Sequence, residues 1–186
     1  MSPVELVSKL FVEDVIVEPQ KNNYGGYYIV MKEVSKNAKL KEVTIRNVPS
    51  TSKAVKLDEF IPKNSFLSGR EGELSRCDYV LFVEENGDNY VYYIEMKSTR
   101  PRNKPKIQFK ASQCLIRYCG LLAEVFIEDK SMNEVKNDRF ILFKRGNLSK
   151  RPTSIKPADW SSNSPDHYYE RTFSTATSSI FFNELR

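Results

Sequence analysis

Histidine is almost missing from this chain: His167 is the only one in 186 residues. One imidazole excludes two-histidine phosphodiesterase chemistry and histidine-clustered zinc sites, which need more. His167 follows Asn163-Ser-Pro-Asp in a loop-like stretch and reads as a surface residue, and no GxSxG-like nucleophile turn exists for a Ser/His/Asp triad. Cysteine is scarce as well. Cys77, Cys114 and Cys119 are odd in number and form no CxxC pair, which argues against a disulfide framework, a zinc ribbon and a four-cysteine iron–sulfur site. Each sits within an apolar pattern, so all three are expected to be buried structural thiols. No apolar run approaches the roughly 18 residues of a membrane span, and Met1-Ser-Pro-Val-Glu lacks the basic-then-apolar order of a signal peptide. A cytoplasmic protein with no membrane partner is the expectation. The last absence is local: no acidic residue lies between Glu95 and Glu124, a stretch that holds Lys97, Arg100, Arg102, Lys104, Lys106, Lys110 and Arg117. Such a field would neutralise backbone phosphates and make binding salt-dependent.

What the chain does contain suits one compact domain over 1–186, with 40% hydrophobic residues to fill a core. The charge of +5 and pI near 9.0 favour a polyanionic partner. Residues 3–14 have helical apolar spacing behind a Ser2-Pro3 start. Residues 24–34 and 41–48 read as strands, 50–75 as less regular, 139–144 as a strand and 173–182 as a last strand. From Pro105 to Phe126 the period is helical, with Ile107, Ala111, Cys114, Leu115, Tyr118, Leu122, Val125 and Phe126 as the expected core stripe. Lys106, Lys110, Gln113 and Arg117 fall on another face. Arg151 to Trp160 is broken by prolines, and the C-terminal aromatics, Trp160, Tyr168, Tyr169, Phe181 and Phe182, read as packing residues.

The hairpin carries the strongest signal. Residues 76–85 and 89–97 are strand-like and flank Asn86-Gly87, the commonest two-residue hairpin loop. In that register residue numbers across the pair sum to 173. Both faces are then apolar, which places the hairpin in the middle of a sheet covered on two sides. Asp78 stands opposite Glu95, with Lys97 on the same face. Two opposed carboxylates repel, and burial sharpens the repulsion unless a cation lies between them. Mg²⁺ suits such a pair, with the Met96 backbone carbonyl as a further ligand, and Lys97 could orient or deprotonate a water. The bland alternative makes Glu95 and Lys97 ordinary polar residues at a strand end, with Asp78 in a salt bridge to Lys97 or Arg76.

The segment CDYVLF…YYIEMKS, residues 77–98, followed by a helix, resembles the PD-(D/E)xK nuclease superfamily with its restriction-endonuclease-like fold. The resemblance covers about a quarter of the chain. It implies a mixed α/β (α+β) architecture, a central mixed sheet flanked by helices, with Asp78 and Glu95 as metal ligands and Lys97 as the catalytic lysine. It implies phosphodiester hydrolysis with Mg²⁺ or Mn²⁺, on DNA more than RNA. The family's motif proline is absent, with Cys77 in its place. Many members add an acidic residue from an N-terminal helix, and Glu13, Glu71 and Glu73 compete for that role, with Glu73 favoured. Relatives with a Q-x3-Y helix motif are matched only by Gln113, because Tyr118 is one position too far and reads as core. Arg100, Arg102, Lys104, Lys106, Lys110, Gln113 and Arg117 are the expected nucleic-acid contacts. A nuclease this small carries no separate recognition domain, which leaves target choice to a homodimer or a partner subunit. The competing expectation is a non-catalytic binding or assembly subunit that retains the fold.

Overall fold

The computed structural model describes residues 1–59, 67–98, 104–146 and 159–186. Arg100, Arg102 and most of the proline-broken segment fall outside them. Helix α1, Pro3–Leu10, opens with the expected cap: Ser2 and Glu5 form a reciprocal capping box and Pro3 sits in the first turn. It ends at Leu10, and a separate 3-10 turn occupies Glu13–Val15.

Ten strands follow among the described residues: β1 Ile16–Val17, β2 Gln20–Lys21, β3 Tyr27–Lys32, β4 Glu42–Arg46, β5 Lys53–Lys56, β6 Tyr79–Glu85, β7 Asp88–Lys97, β8 Asn137–Arg145, β9 Tyr169–Phe173 and β10 Thr177–Phe181. The long helix α2, Lys104–Phe126, lies between β7 and β8. One sheet has the order β1-β5-β6-β7-β8-β9 and the other β10-β4-β3-β2. The class is the expected mixed α+β. The last strand-like segment, 173–182, contains β10, while β9 forms just before it in residues not read as a strand, and β5 forms inside the stretch read as irregular.

The β6–β7 ladder runs from Tyr79 opposite Ile94 to Glu85 opposite Asp88, the register expected from the turn. Asn86 and Gly87 have φ of 53° and 85°, the two positive values of a type I′ turn. Because α2 crosses over, β8 lies parallel to β7 and is joined by a parallel β9. The hairpin is covered on both faces, each by a different layer. Tyr79, Leu81, Tyr92 and Ile94 pack against Ile29, Met31, Val43 and Ile45 of the second sheet. Val80, Phe82, Val91 and Tyr93 pack against Val4, Leu6 and Val7 of α1 and Phe109 and Ile116 of α2. Among the described residues, α1 and α2 flank one face of the six-stranded sheet, and the four-stranded sheet covers the other. Tyr79 ties the sheets together, its hydroxyl accepting from the Lys32 N–H and donating to the Lys32 carbonyl, both at 2.9 Å.

Helix α2 is rotated relative to its apolar periodicity. Its buried line is Pro105, Gln108, Phe109, Ser112, Ile116, Gly120 and Ala123. Ile107, Tyr118, Val125 and Phe126, expected in the core, are exposed. The cysteine expectation is corrected by the same rotation: Cys77 is buried, Cys119 half-buried and Cys114 exposed. Two buried polar side chains explain the rotation. The Ser112 hydroxyl accepts the Cys77 N–H at 2.8 Å, and the Gln108 amide donates to the Arg76 carbonyl at 2.8 Å. Both satisfy backbone groups just before β6, where no strand partner is available.

Candidate active site

Asp78 continues the β6 register by one residue, and Glu95 and Lys97 alternate along β7, so all three face the helical layer. The Asp78 carbonyl accepts the Leu57 N–H at 3.0 Å, which holds its backbone beside the end of β5. Its carboxylate Oδ2 accepts the Met96 N–H at 2.6 Å. In a strand the N–H and C=O of one residue point to the same edge, so the Met96 carbonyl is on the Asp78 side. The Met96 side chain enters the core between the sheets.

Burial dominates the electrostatics. Asp78 is 8% exposed and Glu95 0%. Loss of solvation pushes the Asp78 carboxyl up to about 7, against the Lys97 ammonium and the Met96 N–H, which favour ionisation. Lys97 is pulled below the ordinary lysine value, first by burial, with Asp78 opposing and Lys104 adding to the fall. The Lys97 ammonium pairs with Glu95 Oε1, while Glu95 Oε2 is buried and has no hydrogen-bond donor among the described residues.

The other expected residues divide. Glu73 lies in the loop before β6 with both carboxylate oxygens engaged locally, Oε1 by the Ser68 hydroxyl and the Gly69 N–H and Oε2 by the Glu71 N–H. Its own backbone N–H first, and then the Ser68, Gly69 and Glu71 bonds, hold its carboxyl below the usual range against the opposing effect of burial. Among the described residues no three or more His, Cys, Asp or Glu side chains converge as a metal-binding group. The hairpin register sets two carboxylates opposite each other, Asp78 and Glu95. Lys104 and Lys106 open α2 with no acidic residue in its first turn. Farther along, the helix's basic row meets acidic residues from distant segments. Lys110 pairs with Asp166 at 2.8 Å, and Gln113 donates to Asp138 at 2.6 Å, with Arg117 3.9 Å from the same carboxylate. His167 is exposed, as expected.

Several residues near the site carried no sequence signal. The parallel register sets Lys144 beside Lys97 on the same face, and Lys144 pairs with Glu170 of β9. This neighbour becomes visible only once α2 is known to be a crossover that makes β8 parallel. Asp58 and Glu33 both act on the Asp78 and Lys97 charges. They come from the end of β5 and from the second sheet, which no local pattern links to the hairpin. Comparison with protein-family models, curated proteins and solved structures gave no match to this chain, so its function has to be read from these residues alone.

Proposed function

We propose that the chain is a Mg²⁺- or Mn²⁺-dependent nuclease of the PD-(D/E)xK type that hydrolyses phosphodiester bonds, with DNA favoured over RNA. The observation that carries the reading is the Glu95 carboxylate: wholly buried, with one oxygen against Lys97 and the other unmet, on the face it shares with Asp78. Buried charge is costly unless it is fully compensated, and a hard divalent cation compensates carboxylates well. The donors fit such an ion. Asp78, Glu95 and the Met96 carbonyl offer oxygen only, and Mg²⁺ needs just one or two carboxylates when water and substrate phosphate complete its shell. When bound, the ion would supply charge stabilisation at the scissile phosphate and acidify water.

The chain's own groups account for the rest. Lys97, drawn below its ordinary basicity, holds and orients the attacking water and offsets charge on the phosphate. Lys104 and Lys106 line the approach of the nucleic-acid backbone, with Lys110, Gln113 and Arg117 farther along α2; Arg100 and Arg102, expected contacts from the sequence, lie outside the described residues. The acidic partners of the last three lower the net field there, so most of the phosphate-binding charge belongs to the N-terminal end of α2.

The test is direct. Plasmid, linear and single-stranded DNA and RNA are incubated with the purified chain in Mg²⁺, Mn²⁺ or EDTA. Cleavage is expected with either ion, none in EDTA, and a loss of about 10²-fold or more in Lys97→Ala. Identical traces for wild type and Lys97→Ala in every condition would reject the catalytic assignment. One observation favours a second reading, a non-catalytic nucleic-acid-binding or assembly subunit: the Lys97 ammonium already meets Glu95 and neutralises it without a metal. Salt-dependent binding with no cleavage would select that reading.

A further inference from the structure

The outer face of α2 is apolar. At 3.6 residues per turn, Cys114, Tyr118, Leu121 and Val125 form a stripe directly opposite the buried line through Phe109, Ser112, Ile116 and Ala123. Ile107 extends the stripe toward the N-terminus. These side chains face solvent: Tyr118 is 57% exposed, Leu121 56% and Val125 69%. The outward side of a surface helix ordinarily carries charge, and a continuous apolar strip there marks an interaction site.

We propose that two copies of this chain associate through this stripe, α2 against α2, antiparallel about a two-fold axis. The charge pattern identifies the occupant as a second copy. One border of the stripe carries Lys110, Arg117 and Glu124, spaced by seven residues, basic toward the N-terminus and acidic toward the C-terminus. An antiparallel two-fold reverses that order, so Lys110 of each copy meets Glu124 of the other. A parallel two-fold pair would instead put the two charged borders on opposite sides of the seam, and Lys110 and Glu124 would not meet. The stripe from Ile107 to Val125 is centred on residue 116 and the Lys110–Glu124 pair on residue 117, so one axis serves both. Arg117 falls at the axis and keeps Asp138 beside it at 3.9 Å, which tempers the meeting of two guanidinium groups. The present partners of the two charged residues, Asp166 for Lys110 and Lys130 and the Asn133 amide for Glu124, make exposed contacts that cost little to exchange.

Sedimentation equilibrium of the full chain tests this across the micromolar range, where a monomer–dimer equilibrium is expected. Leu121→Glu and Val125→Glu, both at exposed positions, should each weaken dimerisation at least tenfold while the far-UV spectrum stays folded. Lys110→Glu and Glu124→Lys should each weaken it too. Mixed in equal amounts, those two variants should recover association, because every mixed dimer carries two opposite-charge pairs. Three results would overturn the proposal: a wild type that stays monomeric throughout, a dimer indifferent to Leu121→Glu and Val125→Glu, or a mixture no tighter than its components. None of these readouts depends on nuclease activity.

Discussion

Asp78 makes the stability of the metal-free fold depend on pH. Its carboxyl titrates at 3.8 when unperturbed and is pushed up to about 7 by burial in the fold. The folded chain therefore binds this proton more tightly than the unfolded chain does. That contribution to stability is complete below about pH 4 and is lost as pH rises toward about 7. Asp78→Asn cannot ionise, although its side-chain oxygen can still accept the Met96 N–H. In EDTA the variant should melt several degrees above wild type at about pH 8 and level with it at about pH 4. Equal melting differences at both values would mean that Asp78 is solvated in the folded state. Adding Mg²⁺ or Mn²⁺ should raise the wild-type melting temperature and leave that of Asp78→Asn nearly unchanged, since a ligand stabilises only the fold that binds it.

At the scale of elements, the join between α2 and the start of β6 has a measurable strength. Ser112→Ala leaves the buried Cys77 N–H without its acceptor, which should cost about 1–3 kcal/mol in denaturant unfolding. A cost near zero would show that the Cys77 N–H finds water. This join also explains where sequence reading succeeded and where it failed. The hairpin was legible because Asn86-Gly87 dictates a two-residue loop, and the loop then fixes every pairing up to Tyr79, with Asp78 next in register. The rotation of α2 was not, because Gln108 and Ser112 are polar residues buried to serve particular backbone atoms. Hydrophobic periodicity scores such residues as surface and assigns the outward apolar side chains to the core. Strand β5, Lys-Ala-Val-Lys, is too short and too flanked by charge to stand out, and its burial comes from β6 and α1, far off in sequence. The parallel pairing of β10 with β4 joins segments over 130 residues apart, and no local pattern encodes it. Of the site, Asp78, Glu95 and Lys97 were readable as a group. The cation beside them, Lys144, which pairs with Glu170, and the acids Asp58 and Glu33 were not.

For the whole molecule, the layered arrangement places the site where two packing interfaces and a basic helix start come together. Tyr79 joins the four-stranded sheet to the six-stranded one next to Asp78. Tyr79→Phe removes both bonds to Lys32 and should cost about 1–3 kcal/mol, read as a lower denaturation midpoint with an unchanged slope. If nucleic acid approaches along the start of α2, Lys104→Ala and Lys106→Ala should each flatten the dependence of log K on log salt by about one. Lys110→Ala should change it less, because Asp166 already balances that charge. Equal slopes for all three variants would place the binding surface elsewhere.

The hairpin ladder carries one more consequence, and it is a matter of parity. Asp78 falls opposite Glu95 because the same number of residues separates each from the turn, 79–85 on one strand and 88–94 on the other, so the register that ends at Tyr79 and Ile94 carries one step on to them. Length changes at residues 86–87 are taken up by the loop and leave that count intact. A single residue inserted between Tyr79 and Glu85 changes it. Either the apolar faces of β6 exchange layers, or Asp78 turns into the interface between the sheets, where Tyr79 now sits. A tolerance map of insertions along this hairpin should therefore fall from permissive to forbidden within one residue of the turn, and the forbidden stretch marks how far the site's geometry reaches.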